Sequence, residues 1–245
     1  VYARVERLLA QGTLYEWARD HPERREYRGR GPVYSAPLPD GGPRVVVRHA
    51  HRGGLIAPLL RDVYLPPTPA PIELAISSLL RHAGVPTPQV LAFATYRAAF
   101  TLRRVDVVTV ELDGEDLGAA LQGATLPDER RALVPVVAHL VGLLSAIGAW
   151  HQDLNVKNIL LVRDAEGARR AVVLDVDRVR FAPSGDPHLA EANIQRLRQS
   201  MARHTQRTGA AGFDEADVAE MLRIVRADEA GRAADRAVAL QEYMP

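Results

Sequence analysis

Two short runs hold the residues best suited to chemistry. His151-Gln152-Asp153-Leu154-Asn155-Val156-Lys157-Asn158 fits the pattern H-x-D-L-x-x-x-N and opens into the apolar run Ile159-Leu160-Leu161. Val172-Val173-Leu174 is a second apolar run, and it ends on Asp175. This spacing suits transfer of a phosphoryl group from a nucleotide to a hydroxyl. Asp153 can accept the proton of the attacking hydroxyl. Asn158, five residues on, can turn back to hold a Mg²⁺, and Asp175 can bridge that metal to the β- and γ-phosphates. Two of the chain's three asparagines fall in this loop, and at this composition the pattern arises by chance in roughly one such chain in 150. The plain alternative is a polar loop in which Asp153 caps a backbone turn. The strand, turn, strand and aspartate that follow favour the chemical reading.

Such groups need elements to position them. Val1–Trp17 has apolar residues at helical spacing, and Asp20–Arg28 reads as a charged loop. Gly29-Arg30-Gly31 precedes a strand over Val33–Leu38. Asp40-Gly41-Gly42 is a hairpin turn that returns the chain as Arg44–Arg48. Gly29 and Gly31 would let backbone N–H groups approach phosphates. Val45-Val46-Val47-Arg48 stands where a kinase has V-A-I-K, which puts Arg48 on the nucleotide phosphates. Glu73, in the first turn of a helix over Ile72–His82, is its candidate partner. The plain alternatives are an arginine facing water and a glutamate favouring a helix N-terminus.

Strands are expected over Val85–Phe93, Phe100–Leu102 and Val107–Leu112, and helices over Asp128–Trp150, His188–His204 and Phe213–Val225. The expected fold is therefore α+β and protein-kinase-like, in two lobes. Residues 1–112 form an N-lobe with an antiparallel sheet and one helix, residues 113–116 a hinge, and residues 117–245 a mainly helical C-lobe.

Composition narrows the class. Net charge is +1, which gives no reason to expect nucleic-acid binding. There is no cysteine, hence no disulfide framework and no thiolate metal site. No apolar run approaches the ~20 residues that span a bilayer, and no secretory segment is visible. The chain begins at Val1, not Met, so a few residues are expected to be missing or processed. His51, His82, His139 and His204 lack metal-ligand spacing.

Several stretches resemble the lipopolysaccharide kinases, and most closely the 3-deoxy-D-manno-octulosonic acid (Kdo) kinases. They are Gly29-Arg30-Gly31, the run from Val46 through Arg52-Gly53-Gly54-Leu55, Arg61-Asp62-Val63-Tyr64-Leu65, Glu73, Ala83-Gly84-Val85-Pro86-Thr87-Pro88, His151–Asn155, and Leu174-Asp175-Val176-Asp177-Arg178. Asn193-Ile194-Gln195-Arg196-Leu197-Arg198-Gln199-Ser200 is similar to an Asn-Leu-x-Arg-Leu-x-x-Ser helix of that family. The resemblance implies a two-lobed kinase fold, ATP with Mg²⁺, and transfer of the γ-phosphate to a Kdo hydroxyl on the lipid A core. It also implies a cytoplasmic location, or peripheral contact with the cytoplasmic face of an inner membrane. Arginine at position 48 is familiar among Kdo kinases. Two departures stand out: Arg52 lies in His-Arg-Gly-Gly where the family shows Tyr-Arg-Arg-Gly-Gly, and Asp177 replaces the glycine of the usual metal-binding tripeptide. A sugar or glycolipid acceptor bearing carboxylate and phosphates needs cations, so Arg52 and Arg61, with Asn155, are the candidate acceptor residues. Competing readings are a protein kinase, an aminoglycoside-type phosphotransferase and a non-catalytic kinase-fold binding module. The first lacks an A-P-E element. The second would call for an acidic acceptor region, whereas 48–64 is basic. The third fits poorly with Asp153, Asn158 and Asp175 all being present.

Overall fold

The computed structural model describes residues 2–28, 31–50, 63–183, 186 and 188–242. The chain divides into two compact units, residues 1–79 with 88–112, and residues 80–87 with 113–245. It is a mixed α+β fold with an antiparallel N-terminal sheet and a helical C-terminal region.

Unit 1 opens with two short helices, α1 (Tyr2–Leu9) and α2 (Leu14–Asp20). The expected single amphipathic stretch is broken by a capping box. Thr13 Oγ1 accepts the Glu16 N–H at 3.1 Å, and the Glu16 carboxylate accepts the Thr13 N–H at 3.4 Å. The sheet follows as β1 (Arg25–Arg28), β2 (Pro32–Pro37), β3 (Arg44–His49), β4 (Val63–Tyr64), β5 (Val90–Ala99) and β6 (Leu102–Val110). Among the described residues its order is β1-β2-β3-β6-β4, with β5 pairing the other edge of β6, and every pairing is antiparallel. Residues 25–28, expected as loop, thus form an edge strand. The expected strand at Val85–Phe93 starts later, at Val90, because Pro86 and Pro88 cannot donate to a ladder. Helix α3 (Ala70–His82) carries Glu73 in its first turn.

Alternation along β3 sorts its side chains between two faces. Val45 and Val47 are fully buried against Val5, Leu8, Leu14 and Ala18 of α1 and α2. Residues 46 and 48 therefore point to the opposite face, where Ala70 and Leu74 of α3 pack with Val105 and Val107.

Unit 2 contains β7 (Gly114–Asp116), α4 (Leu117–Gly123), α5 (Pro127–Arg131), α6 (Val134–Ala146), β8 (Ala149–His151), β9 (Ile159–Arg163), β10 (Arg169–Val173), a 3₁₀ turn (Val176–Arg178), β11 (Val179–Phe181), α7 (Leu189–Thr208) and α8 (Glu215–Glu242). Residues 114–116, expected in the hinge, pair with β9 as an edge strand, and Asp116 caps α4 by accepting the Ala119 N–H at 2.9 Å. Residues 80–87, expected in the N-lobe, go with unit 2, where Pro86 O accepts the Val173 N–H at 2.9 Å. Helix α6 is apolar nearly all round and forms the centre of this unit. Val137, Leu140, Val141 and Leu144 are buried, each contributing about 1.5–3 kcal/mol relative to exposure.

Candidate active site

Two residues beyond the end of α6 stands Gly148, whose φ of +77° turns the chain sharply into β8. A Cβ there would lie 2.2 Å from Ala182 O, so glycine is required for β8 to lie against β11. Beyond β8 comes the loop to β9 that holds Asp153, Asn155 and Asn158.

His151 ties this loop to the strand before Asp175. The ring is fully buried. Its Nδ1 accepts the Asp153 N–H at 3.2 Å, and its Nε2 lies 3.0 Å from Leu174 O. An imidazole that accepts on one nitrogen and faces a carbonyl with the other is neutral and carries its proton on Nε2. Burial pushes its pKa down, in the same direction.

The loop is folded by its own amides. Asp153 O accepts from Asn155 Nδ2 at 3.0 Å and from Asn158 Nδ2 at 2.9 Å. Asn155 Oδ1 accepts the N–H groups of Lys157 and Asn158 at 2.9 and 3.2 Å. Both ends of the Asn155 amide are thus engaged inside the loop, an Asx-type turn. Asn155 thus shapes the loop, and it also lines the cavity beside Asp153. Holding Nδ2 of Asn158 on Asp153 O leaves its Oδ1, a hard oxygen, as the atom available to a cation.

Asn158 and Asp175 are neighbours across the ladder. Val173 pairs with Ile159, and Leu174 N donates to Asn158 O at 2.8 Å. Asp175 itself sits at φ 56°, ψ 50°, a left-handed conformation that aspartate visits at a cost of about 1–2 kcal/mol. It lies two residues beyond β10 and turns the chain into Val176–Arg178. Among the described residues no group of three or more His, Asp or Glu side chains forms a metal cage. Mg²⁺ commonly takes one or two protein oxygens and completes its octahedron with phosphates and water. The Asn158 and Asp175 oxygens fit that donor set.

Helix α7 fastens the loop from one side. Asn193 Oδ1 accepts the His151 N–H and its Nδ2 donates to Ala149 O, both at 3.0 Å. Arg196 Nη2 donates to Asp153 Oδ1 at 2.7 Å. Ser200 Oγ accepts the Val156 N–H at 3.2 Å. Positions 193, 196 and 200 are spaced i, i+3, i+7 and share one helix face.

In unit 1, Arg48 Nη2 donates to Glu73 Oε1, and Glu73 is buried. The opposite face of β3 is locked by Asp106, a fully buried carboxylate. It accepts the Tyr15 N–H at 2.9 Å, and His49 Nδ1 lies 2.6 Å from its other oxygen. The Tyr15 ring stacks on His49 at 3.7 Å, and burial raises its pKa to about 12. Gly31 lies just before β2, in the link from β1. Gly29, Arg52 and Arg61 lie outside the described residues.

The model of the Lipopolysaccharide kinase (Kdo/WaaP) family matches residues 17–224. The chain belongs to this family. A 3-deoxy-D-manno-octulosonic acid kinase of Actinobacillus succinogenes is 32% identical over 187 residues, covering 74% of this chain and 75% of that protein. The enzyme of that name from Haemophilus influenzae strain 86-028NP is 31% identical over the same length and coverage. A solved structure of WaaP in complex with acyl carrier protein shares the fold, with a TM-score of 0.55 over 98% of this chain and 96% of that one, at 21% identity. At the level of the family, this lipopolysaccharide-kinase relative is a sugar-directed phosphotransferase.

In this family member the Asn193–Ser200 run carries no task that its residue types alone declare. The signal was its period: polar residues at 193, 196, 200, 203 and 207 form one stripe on an otherwise mixed helix. No helix among the described residues is long and apolar enough to cross a membrane.

Proposed function

We propose that the protein transfers the γ-phosphoryl group of ATP, with Mg²⁺, to a hydroxyl of Kdo on the lipid A core, at the cytoplasmic face of an inner membrane or in the cytoplasm. The observation that carries this reading is the His151 link, which ties the Asp153 backbone and the residue preceding Asp175 to one neutral ring. The relatives named above support the choice of Kdo as acceptor sugar.

In this mechanism the acceptor oxygen attacks the γ-phosphorus, the bond to the β–γ bridging oxygen breaks, and ADP leaves. Asp153 takes the hydroxyl proton. Arg196 orients the Asp153 carboxylate through Oδ1. Asn158 and Asp175 would hold Mg²⁺, which when bound supplies charge neutralisation on the phosphates. Glu73 fixes the Arg48 guanidinium, whose fork suits phosphate oxygens. Gly29 and Gly31 would offer backbone N–H groups to the phosphates.

The test uses purified protein, labelled ATP and three acceptors: Kdo-bearing lipid A precursor, an aminoglycoside and a generic peptide. Label is expected on the Kdo lipid alone. Label on the aminoglycoside or peptide, with none on the Kdo lipid, rejects the reading.

A further inference from the structure

Beside Asp153, unit 2 holds an open cavity of about 510 Å³ between the loop and the C-terminal half of α7. Lys157, Arg203 and Arg207 line it together with Asp153 and Ser200. The three cationic residues are exposed. Among the described residues, none of the three has a carboxylate within ion-pair reach, and Arg207 Nε meets only Arg203 O at 3.4 Å. Neighbouring arginines on other faces behave differently. Arg198 pairs with Glu215 and Arg226 with Glu191. Three like charges around one concavity repel each other, and a concave wall concentrates their field. An anion relieves both effects.

The stripe described above explains how the cavity is built. Arg203 and Arg207 continue the row that begins at Asn193, Arg196 and Ser200, one turn apart and so about 6 Å along the axis. Two forked donors at that spacing suit a carboxylate or phosphate, each gripped by parallel hydrogen bonds. Lys157 adds a compact point charge from the loop. It is the only lysine in the sequence, against 30 arginines.

We propose that this cavity is the anion subsite of the acceptor. Lys157, Arg203 and Arg207 hold the carboxylate or phosphate of an acidic sugar, so that a hydroxyl of the same molecule reaches Asp153. The proposal rests on the sugar-kinase reading above and names how that substrate is recognised. It lies in a different stretch from Arg52 and Arg61.

Two measurements test it. The first is steady-state kinetics on Kdo-bearing lipid A precursor with the double variant Arg203→Gln/Arg207→Gln, and with Arg203→Lys/Arg207→Lys as the charge-keeping control. All four changes are at exposed positions. The acceptor KM is expected to rise at least ~10-fold in the glutamine pair while the KM for ATP stays within about twofold, and the lysine pair to recover part of the loss. An unchanged acceptor KM, or an equal rise in both KM values, overturns the proposal.

The second needs no turnover. Reductive methylation followed by mass spectrometry reads one side-chain amine, Lys157, against the α-amine as internal reference. Kdo-bearing lipid is expected to slow Lys157 modification, and a lipid with a neutral sugar headgroup to leave it unchanged. If the wild-type protein phosphorylates no sugar, the kinase reading falls and the subsite is judged by this protection alone. Protection by the acidic sugar then sustains the subsite, and its absence overturns it. If phosphatidylglycerol vesicles lacking any sugar acceptor protect Lys157 equally, the surface is a membrane contact and the proposal is overturned.

Discussion

Truncating Asn193 to alanine probes the fastening of the loop most directly. Its amide makes two hydrogen bonds of 3.0 Å, to His151 N and to Ala149 O, and all three residues are 0% exposed. Water cannot reach either group to replace the lost side chain. Each buried group left unpaired costs about 1–3 kcal/mol, so the two together cost roughly 2–6 kcal/mol before any small void is added. In a chain of this size 1 kcal/mol moves Tm by about 2–4 °C. A loss near the middle of that range lowers Tm by ~8–16 °C. The exposed neighbour Gln195→Ala is the control and is expected to stay within about 0.5 kcal/mol of the parent. Melting should be followed by calorimetry, since a two-unit chain need not unfold in one step. Phosphoryl transfer, measured well below the lowered Tm, should also drop because β8 no longer holds His151 in register. An Asn193→Ala protein that melts alongside Gln195→Ala would refute the reasoning.

Asp153→Asn should nearly abolish phosphoryl transfer while Mg·ATP binding survives. Asp175→Asn should weaken Mg²⁺-dependent nucleotide binding without loss of stability, since asparagine also tolerates the left-handed backbone. Calorimetry showing equal loss of Mg·ATP binding in both variants defeats that division of roles. The depressed pKa of His151 has a consequence for acid stability. The folded state resists protonation that the unfolded chain accepts near pH 6.5, so stability is complete above that value and declines as pH falls from there towards the folded pKa, by at most ~1.4 kcal/mol per pH unit. Tm measured from pH 7.5 to 5.5 should slope less in His151→Gln than in the parent, and parallel slopes contradict the account. Gly148→Ala should cost about 2–4 kcal/mol through its clash with Ala182 O. Gly209→Ala has nearly the same φ but open surroundings, so it should cost only ~1 kcal/mol of backbone strain. Equal urea midpoint shifts for the pair would remove the clash from the explanation.

The parts of the site that were legible in the sequence are those whose chemistry is written in consecutive residues. That Asp153, Asn158 and Asp175 come from one loop and the end of the strand beside it could be read because a loop and the next hairpin are near neighbours in the chain. Arg48 and Glu73 could be paired on paper because a strand and the helix after it are near neighbours in the chain. Arg196 could not be matched to Asp153 in the same way, since 43 residues separate them and a helical stripe does not name its partner. The loop-shaping bonds of Asn155 were not read although its partners are all within three residues, because a resemblance between sequences does not say which local turn a residue closes. The strand at 149–151 was hidden at the end of an apolar stretch that reads as mostly helical through Trp150, with Gly148 the signal that ends it. Residues 25–28 have charges at both ends and no alternation, as an exposed edge strand allows. The signature T-x-x-E at Thr13–Glu16 was readable and marks the true start of α2.

The carboxylate of Asp106 sets a practical limit on how far the chain can be trimmed. The stretch recognised by similarity begins at residue 17 and stops at 224, which cuts through α2 at one end and α8 at the other. A fragment made to those bounds forfeits the Tyr15 N–H that Asp106 accepts, the Leu14 N–H that the Tyr96 hydroxyl accepts, and the apolar cover that Val5, Leu8 and Leu14 lay over Val45 and Val47. It also forfeits the Arg232 guanidinium that caps Gly142 O at 3.0 Å. A carboxyl group at 0% exposure would then keep fewer donors than it has in the whole chain, at a cost of about 1–3 kcal/mol. Expression of the domain should therefore start upstream of α1. Helix α1 and the start of α2 form the rear wall of the strand that bears Arg48, and without them the back of that strand would be left as an adhesive apolar surface.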